Sequence, residues 1–282
     1  MRLLKNPVSR LLLVMAFSAV SVLALITLFI FKEGIPLINK VGLLTFVLGT
    51  TWAPSDGQFG ILPFIIGSLW VTLGALVLGA PLGLACALFI VEFAPKWLSR
   101  LLKPAVELLA GIPSVVYGFM GVVLLAPVIR GHFGGPGMSV LAASVILGIM
   151  ILPTVIGISV DALQAVPRAY KEGSIALGAT RWQTVWRVML PAARSGLVAA
   201  AILGMGRAVG ETMAVIMVAG NSIQVPRSLL DPTRTLTSNI ALEMGYAMGD
   251  HRAALFATGI ILFVFIMLLN GSAYWAVGRQ KT

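Results

Sequence analysis

Long apolar runs alternate with short polar connections along the whole chain. Six of these runs reach or exceed the roughly 20 residues that an α-helix needs to cross the hydrocarbon core of a membrane. They cover residues 11–31, 61–91, 105–128, 138–161, 196–220 and 254–277. The second run is long and contains several glycines and Pro81, so its helix is expected to tilt or to begin at the membrane interface. The pattern predicts an all-α polytopic membrane protein, with residues 1–282 forming a single transmembrane domain.

The composition favours the same class. The 282 residues are 59% hydrophobic and 11% charged, whereas a soluble domain carries about 25% charged residues. The single cysteine, Cys86, lies inside an apolar run, so no intrachain disulfide can form. The first apolar run follows basic residues, as in a signal peptide, but it is longer and lacks a small-residue cleavage site. We therefore expect it to remain as an anchor.

Lysine and arginine are distributed unevenly between the connections. Of the 20 basic residues, 13 lie in the N-terminus, the connection around residues 92–104, the connection 163–194 and the C-terminus, whereas 6 lie in the alternate connections. Basic residues accumulate on the cytoplasmic side of a membrane. The bias predicts that both termini are cytoplasmic, and it explains the net charge of +10 without a nucleic-acid partner.

Two connections predicted to lie outside are long, at residues 32–60 and 221–253. The first carries Trp52 beside the turn-forming residues 54–57, and the second contains a short predicted helix over residues 236–248. Loops of this length usually have a function. The sequence leaves open whether they contact an external partner or form a folded lid. His132 and His251 lie in outside connections without metal-ligand spacing, and no metal site is predicted.

Two charges, Arg207 and Glu211, lie in the middle of the fifth apolar run. An ionisable group at mid-depth costs roughly 2.5–3.5 kcal/mol even on a lenient insertion scale, so it normally faces a protein interior or a water-filled path. A spacing of four residues places both side chains on one helical face, where the carboxylate can hold the guanidinium. Gly206 and Gly210 allow another helix or a solute to approach closely. The pattern favours a functional site over an ion pair that only fixes helix packing.

The connection 163–194 predicts two short helices with a hinge. Pro167 suits a first helical position, and Gly178 suits the left-handed residue that ends a helix. Thr180-Arg-Trp-Gln183 has the form of a capping box, and Pro191 is expected to separate the second helix from the next span. An apolar stripe beside a basic face can lie on the membrane or dock into a groove of another protein. The stripe consists of Trp182, Val185, Trp186 and Met189.

This connection resembles the coupling loop of ABC importer permeases. Glu172-Gly-Ser-x-x-x-Gly178, followed after nine residues by Val188-x-Leu190-Pro191, matches the spacing of the Glu-Ala-Ala…Gly…Ile-x-Leu-Pro pattern of that family. The family's loop seats in a groove of the cytoplasmic ATPase. The resemblance therefore implies that the loop couples to an ATPase, and the positions assigned to that contact are Glu172, Gly178, Thr180, Trp182, Leu190 and Pro191.

Three other stretches, at residues 58–67, 107–118 and 206–214, resemble the PstC-type permeases of the bacterial phosphate-specific ABC importer. The resemblance runs from about Leu11 to Val277. It implies a type I ABC importer permease fold in the bacterial plasma (inner) membrane. The implied partners are a second homologous permease, two copies of a cytoplasmic ATPase and an extracytoplasmic phosphate-binding protein. ATP and magnesium would bind to the ATPase, and no cofactor is expected on this chain.

The resemblance also implies a phosphate path. An arginine fork matches phosphate oxygens bidentately, so Arg207 is the implied anion-binding residue and Glu211 the residue that holds and screens it. Thr212, Ser114 and Tyr117 complete the implied path. For Ser114 and Tyr117, hydrogen bonding between helices is the alternative role.

Other polar residues carry weaker signals. Glu107 lies near Ser114 at a predicted helix start, and Glu92 and Asp161 lie at span ends, where interfacial solvation explains them.

Other classes of function are less well supported. The chain has no Gly-x-x-x-x-Gly-Lys-Ser/Thr motif, so it is not expected to hydrolyse ATP and is predicted not to be an enzyme. It also lacks a His-Glu-x-x-His motif and a Ser/His/Asp set within a span, which leaves an intramembrane enzyme with little support. A permease for another oxyanion, such as phosphonate, sulfate or molybdate, stays open, because a separate binding protein would decide the substrate.

Overall fold

The computed structural model describes residues 7–278, including the side chains of residue 8 and of residues 11–271. These residues fold into helices with one small hairpin. The helices are α1 (Pro7–Val41), α2 (Leu43–Leu48), α3 (Leu62–Leu88), α4 (Lys96–Gly111), α5 (Ser114–Met120), α6 (Ala126–Phe133), α7 (Val140–Gln164), α8 (Arg168–Ala176), α9 (Arg181–Thr184), α10 (Leu190–Gly210), α11 (Met213–Val218), α12 (Leu236–Glu243) and α13 (Gly249–Gly278). Antiparallel strands β1 (Trp52–Ala53) and β2 (Gln58–Phe59) flank a 3₁₀ turn at Pro54–Asp56.

Within the described residues, six stretches are long and apolar enough to cross a membrane. They are Leu11–Val41, Leu62–Phe93, Ser114–Phe133, Val140–Gln164, Arg181–Gly210 and Gly249–Gly271. The predicted all-α class with six spanning helices is therefore confirmed. The spans alternate in direction, so the connections fall into two sets. The set with residues 42–61, 134–139 and 219–248 defines what we call the α12 face, and the set with residues 94–113 and 165–189 defines the α8 face.

Helix α7 is the centre of the bundle, because α3 and α10 both pack along it. Glycine permits the close approach of α3 and α7. A Cβ atom added at Gly79 would lie 2.6 Å from the carbonyl oxygen of Gly148, so a larger residue there would force the helices apart.

The first span is longer than the sequence pattern predicts. Helix α1 continues to Val41 through Lys32, Glu33 and Pro36, which were expected in a connection. It packs mainly on α13, where a Cβ atom added at Gly34 would lie 2.8 Å from the Ala257 nitrogen.

The third span differs from the predicted range 105–128 because the helix breaks before Pro113. A proline disfavours the α conformation in the residue that precedes it, and Ile112 is extended, with φ −69° and ψ 126°. Residues 105–111 therefore end the separate helix α4. The Tyr117 hydroxyl donates a hydrogen bond of 2.9 Å to the Leu109 carbonyl, which also accepts a 3.4 Å hydrogen bond from the Ile112 N–H at the break.

The fifth span also differs from the predicted range 196–220. A helix runs without interruption from Arg181 to Gly210, so Pro191 does not separate the helix that precedes it from the span. A π turn at Val185–Met189 precedes the proline, and the Leu190 N–H donates to the Val185 carbonyl five residues earlier. Because the hydrogen bonds of a π turn join residues five positions apart, one carbonyl is left without an α-helical donor. A proline, which has no N–H to donate, can therefore follow the turn without strain.

Helix α12 folds back onto the bundle. It ends at Glu243, which is earlier than predicted, and its first N–H, from Leu236, donates to the Ser68 hydroxyl of α3 at 2.9 Å. The connection 219–248 therefore lies against the spanning helices and is tied to α3. Helix α13 starts at Gly249, five residues before the predicted start at 254.

Candidate functional site

Two helix breaks meet in the middle of the bundle. Helices α5 and α11 pack closely, because a Cβ atom added at Gly118 would lie 3.0 Å from the Ala214 Cα, and one added at Gly121 would lie 2.5 Å from a Val218 side-chain carbon. The contacting residue numbers increase together, from Gly118 with Ala214 to Gly121 with Val218, so the helices are parallel. Their packing places Ser114, the first residue of α5, level with the break that precedes α11.

The depth of this break follows from α11. The carbonyl of Val218, the last residue of α11, accepts a hydrogen bond of 3.1 Å from Ser139 at the start of α7. At 1.5 Å per residue counted back from Val218, Met213 lies about 7.5 Å and Arg207 about 16 Å from that end of α7. The hydrocarbon core is about 30 Å thick, so a core that begins near this end of α7 places Arg207 near mid-depth.

Arg207 is exposed in the last turn of α10. The predicted pair between Arg207 and Glu211 is wrong. Helix α10 ends at Gly210, and Glu211 is extended, with φ −70° and ψ 129°, so the two residues do not share a helical face. The Glu211 carboxylate instead accepts a 3.2 Å hydrogen bond from the Ala214 N–H. Among residues 7–278, no carboxylate forms an ion pair with Arg207.

The face of α10 that carries Arg207 is open. A Cβ atom added at Gly206 or Gly210 would meet nothing within 4 Å, and the side chain of Leu203 is 55% exposed. Among the residues that the structure describes, the close approach predicted from these glycines is therefore not made. It is available to a second chain or to a solute.

Two threonines hold the carbonyls of the break at Glu211. The Thr212 hydroxyl donates to the Gly210 carbonyl at 3.3 Å, and the Thr237 hydroxyl of α12 donates to the Glu211 carbonyl at 3.1 Å. Ser114 is half-buried beside the other break. Glu107 lies away from both, in a cleft of about 260 Å³ between α4 and α7 that Lys103 and Asp161 also line.

The connection on the α8 face has the predicted hinge. Gly178 has φ +84°, a conformation that favours glycine. The capping box is formed, since the Gln183 N–H donates to the Thr180 hydroxyl at 3.2 Å and the Thr180 N–H donates to the Gln183 side chain at 2.9 Å. The Ser174 and Thr184 hydroxyls lie 3.0 Å apart and link α8 to α9.

The apolar stripe of this connection divides between two environments. Val185 and Met189 are buried, whereas Trp182 and Trp186 are more than half exposed. Glu172 and Pro191 are exposed and Leu190 is half-buried. Sequence analysis did not single out Leu177, which is 91% exposed beside the Gly178 hinge. An apolar residue at a hinge, outside any helical periodicity, is the signal that could have indicated it.

Glu92 lies in a different environment from the one that the sequence predicted. Interfacial solvation was expected to explain this residue, but its side chain is 6% exposed and its carboxylate pairs with Lys171 of α8 at 2.5 Å. Asp161, the other residue with the same expectation, is exposed.

A buried polar cluster on the α12 face joins the two long connections. The Glu243 carboxylate accepts hydrogen bonds from Trp52 Nε1 at 2.9 Å and from an Arg234 guanidinium nitrogen at 2.6 Å, and His251 Nε2 lies 2.8 Å from it. We call these four residues the Glu243 cluster. It gives His251 a structural contact that its sequence position did not indicate.

Comparison with known proteins defines the class. The fold is that of a type I ABC importer permease, because the chain superimposes on the inward-facing MetNI methionine ABC transporter with a TM-score of 0.63 and 22% identity, covering 81% of this chain and 99% of that one. A bacterial alginate ABC transporter gives a TM-score of 0.61 with 17% identity, covering 96% and 95% of the two chains.

The sequence gives the family. Residues 79–282 match the model described as "binding-protein-dependent transport system inner membrane component". This chain belongs to that family, and it is a multi-pass protein of the inner membrane, which confirms the predicted class and location.

Two relatives illustrate the similarity. The probable ABC transporter permease protein YqgH of Bacillus subtilis (strain 168) is 43% identical over 87% of this chain and 83% of its own length. The phosphate transport system permease protein PstC of Xylella fastidiosa (strain 9a5c) is 36% identical over 85% of this chain and 74% of its own length.

Proposed function

We propose that this chain is one of two permease subunits of an ATP-driven phosphate importer, with its α8 face in the cytoplasm. The excess of basic residues on the α8 face supports this orientation. Similarity to PstC, a phosphate transport permease, supports the substrate. The other partners are two copies of a cytoplasmic ATPase and an extracytoplasmic phosphate-binding protein. The chain has no enzymatic activity of its own, since ATP and magnesium bind to the ATPase.

The observation that carries the proposal is Arg207, an exposed guanidinium near mid-depth with no carboxylate partner among the described side chains. Such a charge is costly in a membrane and is retained where it serves a path. Its face of α10 is open to the second permease, so the anion would pass between the two subunits. Because Glu211 is engaged with α11, the cation is not screened by it in this conformation.

The coupling loop supports the energy source. Leu177 and Trp182 present apolar surface at the end of the α8 face, with Glu172 exposed beside them. Exposed apolar side chains beside a turn can insert into a hydrophobic groove on a partner protein. We assign this surface to the ATPase.

The test is uptake of labelled orthophosphate into vesicles that contain the complex purified through this chain. The binding protein is added outside the vesicles, and ATP is enclosed within them. Arg207→Ala is expected to abolish uptake while the ATPase still copurifies. Arg207→Lys keeps the charge but loses the fork, and we expect at least about a tenfold loss, equivalent to about 1.4 kcal/mol. Arg227→Lys, on an exposed residue of the α12 face, is the matched control and should behave as wild type.

The outcomes separate the alternatives. Wild-type uptake by Arg207→Ala would remove the site assignment. Inhibition of orthophosphate uptake by equimolar sulfate would indicate that the transported substrate is an oxyanion other than phosphate. Failure of any ATPase to copurify with the wild-type chain would contradict the whole proposal.

A further inference from the structure

The second span ends in a π turn that fixes the position of Glu92. This turn covers Phe89–Phe93 and closes with a 2.8 Å hydrogen bond from the Ala94 N–H to the Phe89 carbonyl. Ile90, within the turn, is 5% exposed and packs in a cluster with Ile156 of α7 and Ala193 of α10. π turns re-aim side chains and are frequent at functional sites. The Glu92 carboxylate is thus held on a rigid part of the bundle.

Helix α8 depends on polar contacts for its position. None of its residues is buried. Its Lys171 reaches Glu92 at 2.5 Å, with side-chain exposures of 39% and 6%, and its Ser174 meets Thr184. A nearly buried carboxylate resists losing its cation, because the charge would remain uncompensated in a medium of low polarity.

A second contact lies beside the ion pair. The rings of Phe93, from the same π turn, and Trp182 of α9 lie 6.1 Å apart. The coupling loop is thereby joined to the end of the second span through both of its helices. Because α3 packs along α7, a displacement of this end would reach the centre of the bundle.

We propose that Glu92 and Lys171 are a positioning pair for transport, which carries displacement of α8 to the end of the second span. The inference rests on the proposed function, in which the ATPase moves the coupling loop. Neither residue touches the substrate. Losing the pair should therefore leave ATP hydrolysis intact and reduce the phosphate moved for each ATP consumed.

The experiment measures both rates in one preparation. The complex purified through the full chain is reconstituted, and orthophosphate uptake and ATP hydrolysis are recorded for Glu92→Gln, Lys171→Met and the reversed pair Glu92→Lys with Lys171→Glu. We expect each single variant to lower the phosphate-to-ATP ratio about tenfold, within the usual range of coupling between sites, while hydrolysis stays within about twofold of wild type. The reversed pair should restore most of the ratio. Asp250→Asn, in the exposed Lys40–Asp250 pair of the α12 face, is the control and should keep the ratio.

Each outcome decides the inference. An unchanged ratio in both single variants, or no recovery in the reversed pair, overturns it. If wild type hydrolyses ATP but takes up no phosphate, the substrate assignment fails instead, and the ratio is then measured with sulfate or molybdate. If wild type carries no ATPase, the proposed function fails.

Discussion

Glu243 is expected to be the most important single residue for the stability of the α12 face. It is 7% exposed and its two oxygens serve three donor side chains, so Glu243→Ala removes every acceptor of the cluster at once. Arg234, whose side chain is 14% exposed, would keep its hydrogen bonds to the Asn221 carbonyl and to Asn239 Oδ1, but it would lose its carboxylate and remain as a nearly buried cation without a counter-charge. Breaking a buried pair from one side costs about 3–5 kcal/mol.

This cost sets the size of the measurement. Each kcal/mol of lost stability lowers the midpoint temperature of thermal unfolding by about 2–4 °C in chains of 150–250 residues. Glu243→Ala should therefore lower this midpoint by about 6–20 °C. The assay is thermal unfolding of the detergent-solubilised complex, followed by tryptophan fluorescence and by recovery of monodisperse complex after heating. Glu243→Gln keeps the volume but turns an amide N–H₂ toward a donor, and it should lose most of the same stability.

The control for this prediction is Asp250→Ala. Asp250 is also a carboxylate paired with a cation on the α12 face, but the side chains of Lys40 and Asp250 are 65% and 55% exposed. Exposed pairs contribute about 0–1 kcal/mol, so its midpoint should fall by less than about 4 °C. Equal shifts for Glu243→Ala and Asp250→Ala, or a wild-type midpoint for Glu243→Gln, would refute the reasoning.

Three further predictions concern other parts of the chain. Leu177→Asp should lower copurification of the ATPase at least about tenfold, the loss of about 1.4 kcal/mol, whereas Met248→Asp, at a residue of the α12 face that is 83% exposed, should not. Thr180→Ala should cost about 1 kcal/mol through the lost helix cap, seen as a lower unfolding midpoint, and an unchanged midpoint would contradict this. Gly118→Leu should destabilise the complex by about 1–3 kcal/mol through overpacking, while Gly206→Leu should leave the chain's own packing intact and block uptake.

The sequence was sufficient for the architecture but not for the helix breaks. Hydropathy identified six spans because a run of some 20 apolar residues has few other uses. It could not locate the break at Glu211, since residues on both sides are equally apolar. The break at Ile112 did have a signal in Pro113, because the residue before a proline avoids the α conformation. The same reasoning failed at Pro191, where a π turn accommodates the proline.

The coupling loop was predicted in more detail than the membrane path. Thr180 and Gln183 form a capping box through contacts between residues three apart, and such local contacts can be read from spacing. The predicted pairing of Arg207 with Glu211 required a continuous helix. The prediction was wrong because the helix ends at Gly210. The Glu92–Lys171 contact joins residues 79 positions apart, and no periodicity in the sequence connects them.

The Glu243 cluster has a consequence for the order in which the chain is made. Trp52 follows the first span, Glu243 comes 191 residues later, and His251 lies in the last spanning helix. A ribosome synthesising at about 5–20 residues per second needs on the order of ten seconds or more to cover that interval. During that time the Trp52 ring can pack on Phe59 and Phe64, but its N–H lacks the Glu243 acceptor, and the α12 face stays unfinished until the sixth helix has entered the membrane. A truncated product that lacks the sixth helix therefore exposes an unassembled α12 face.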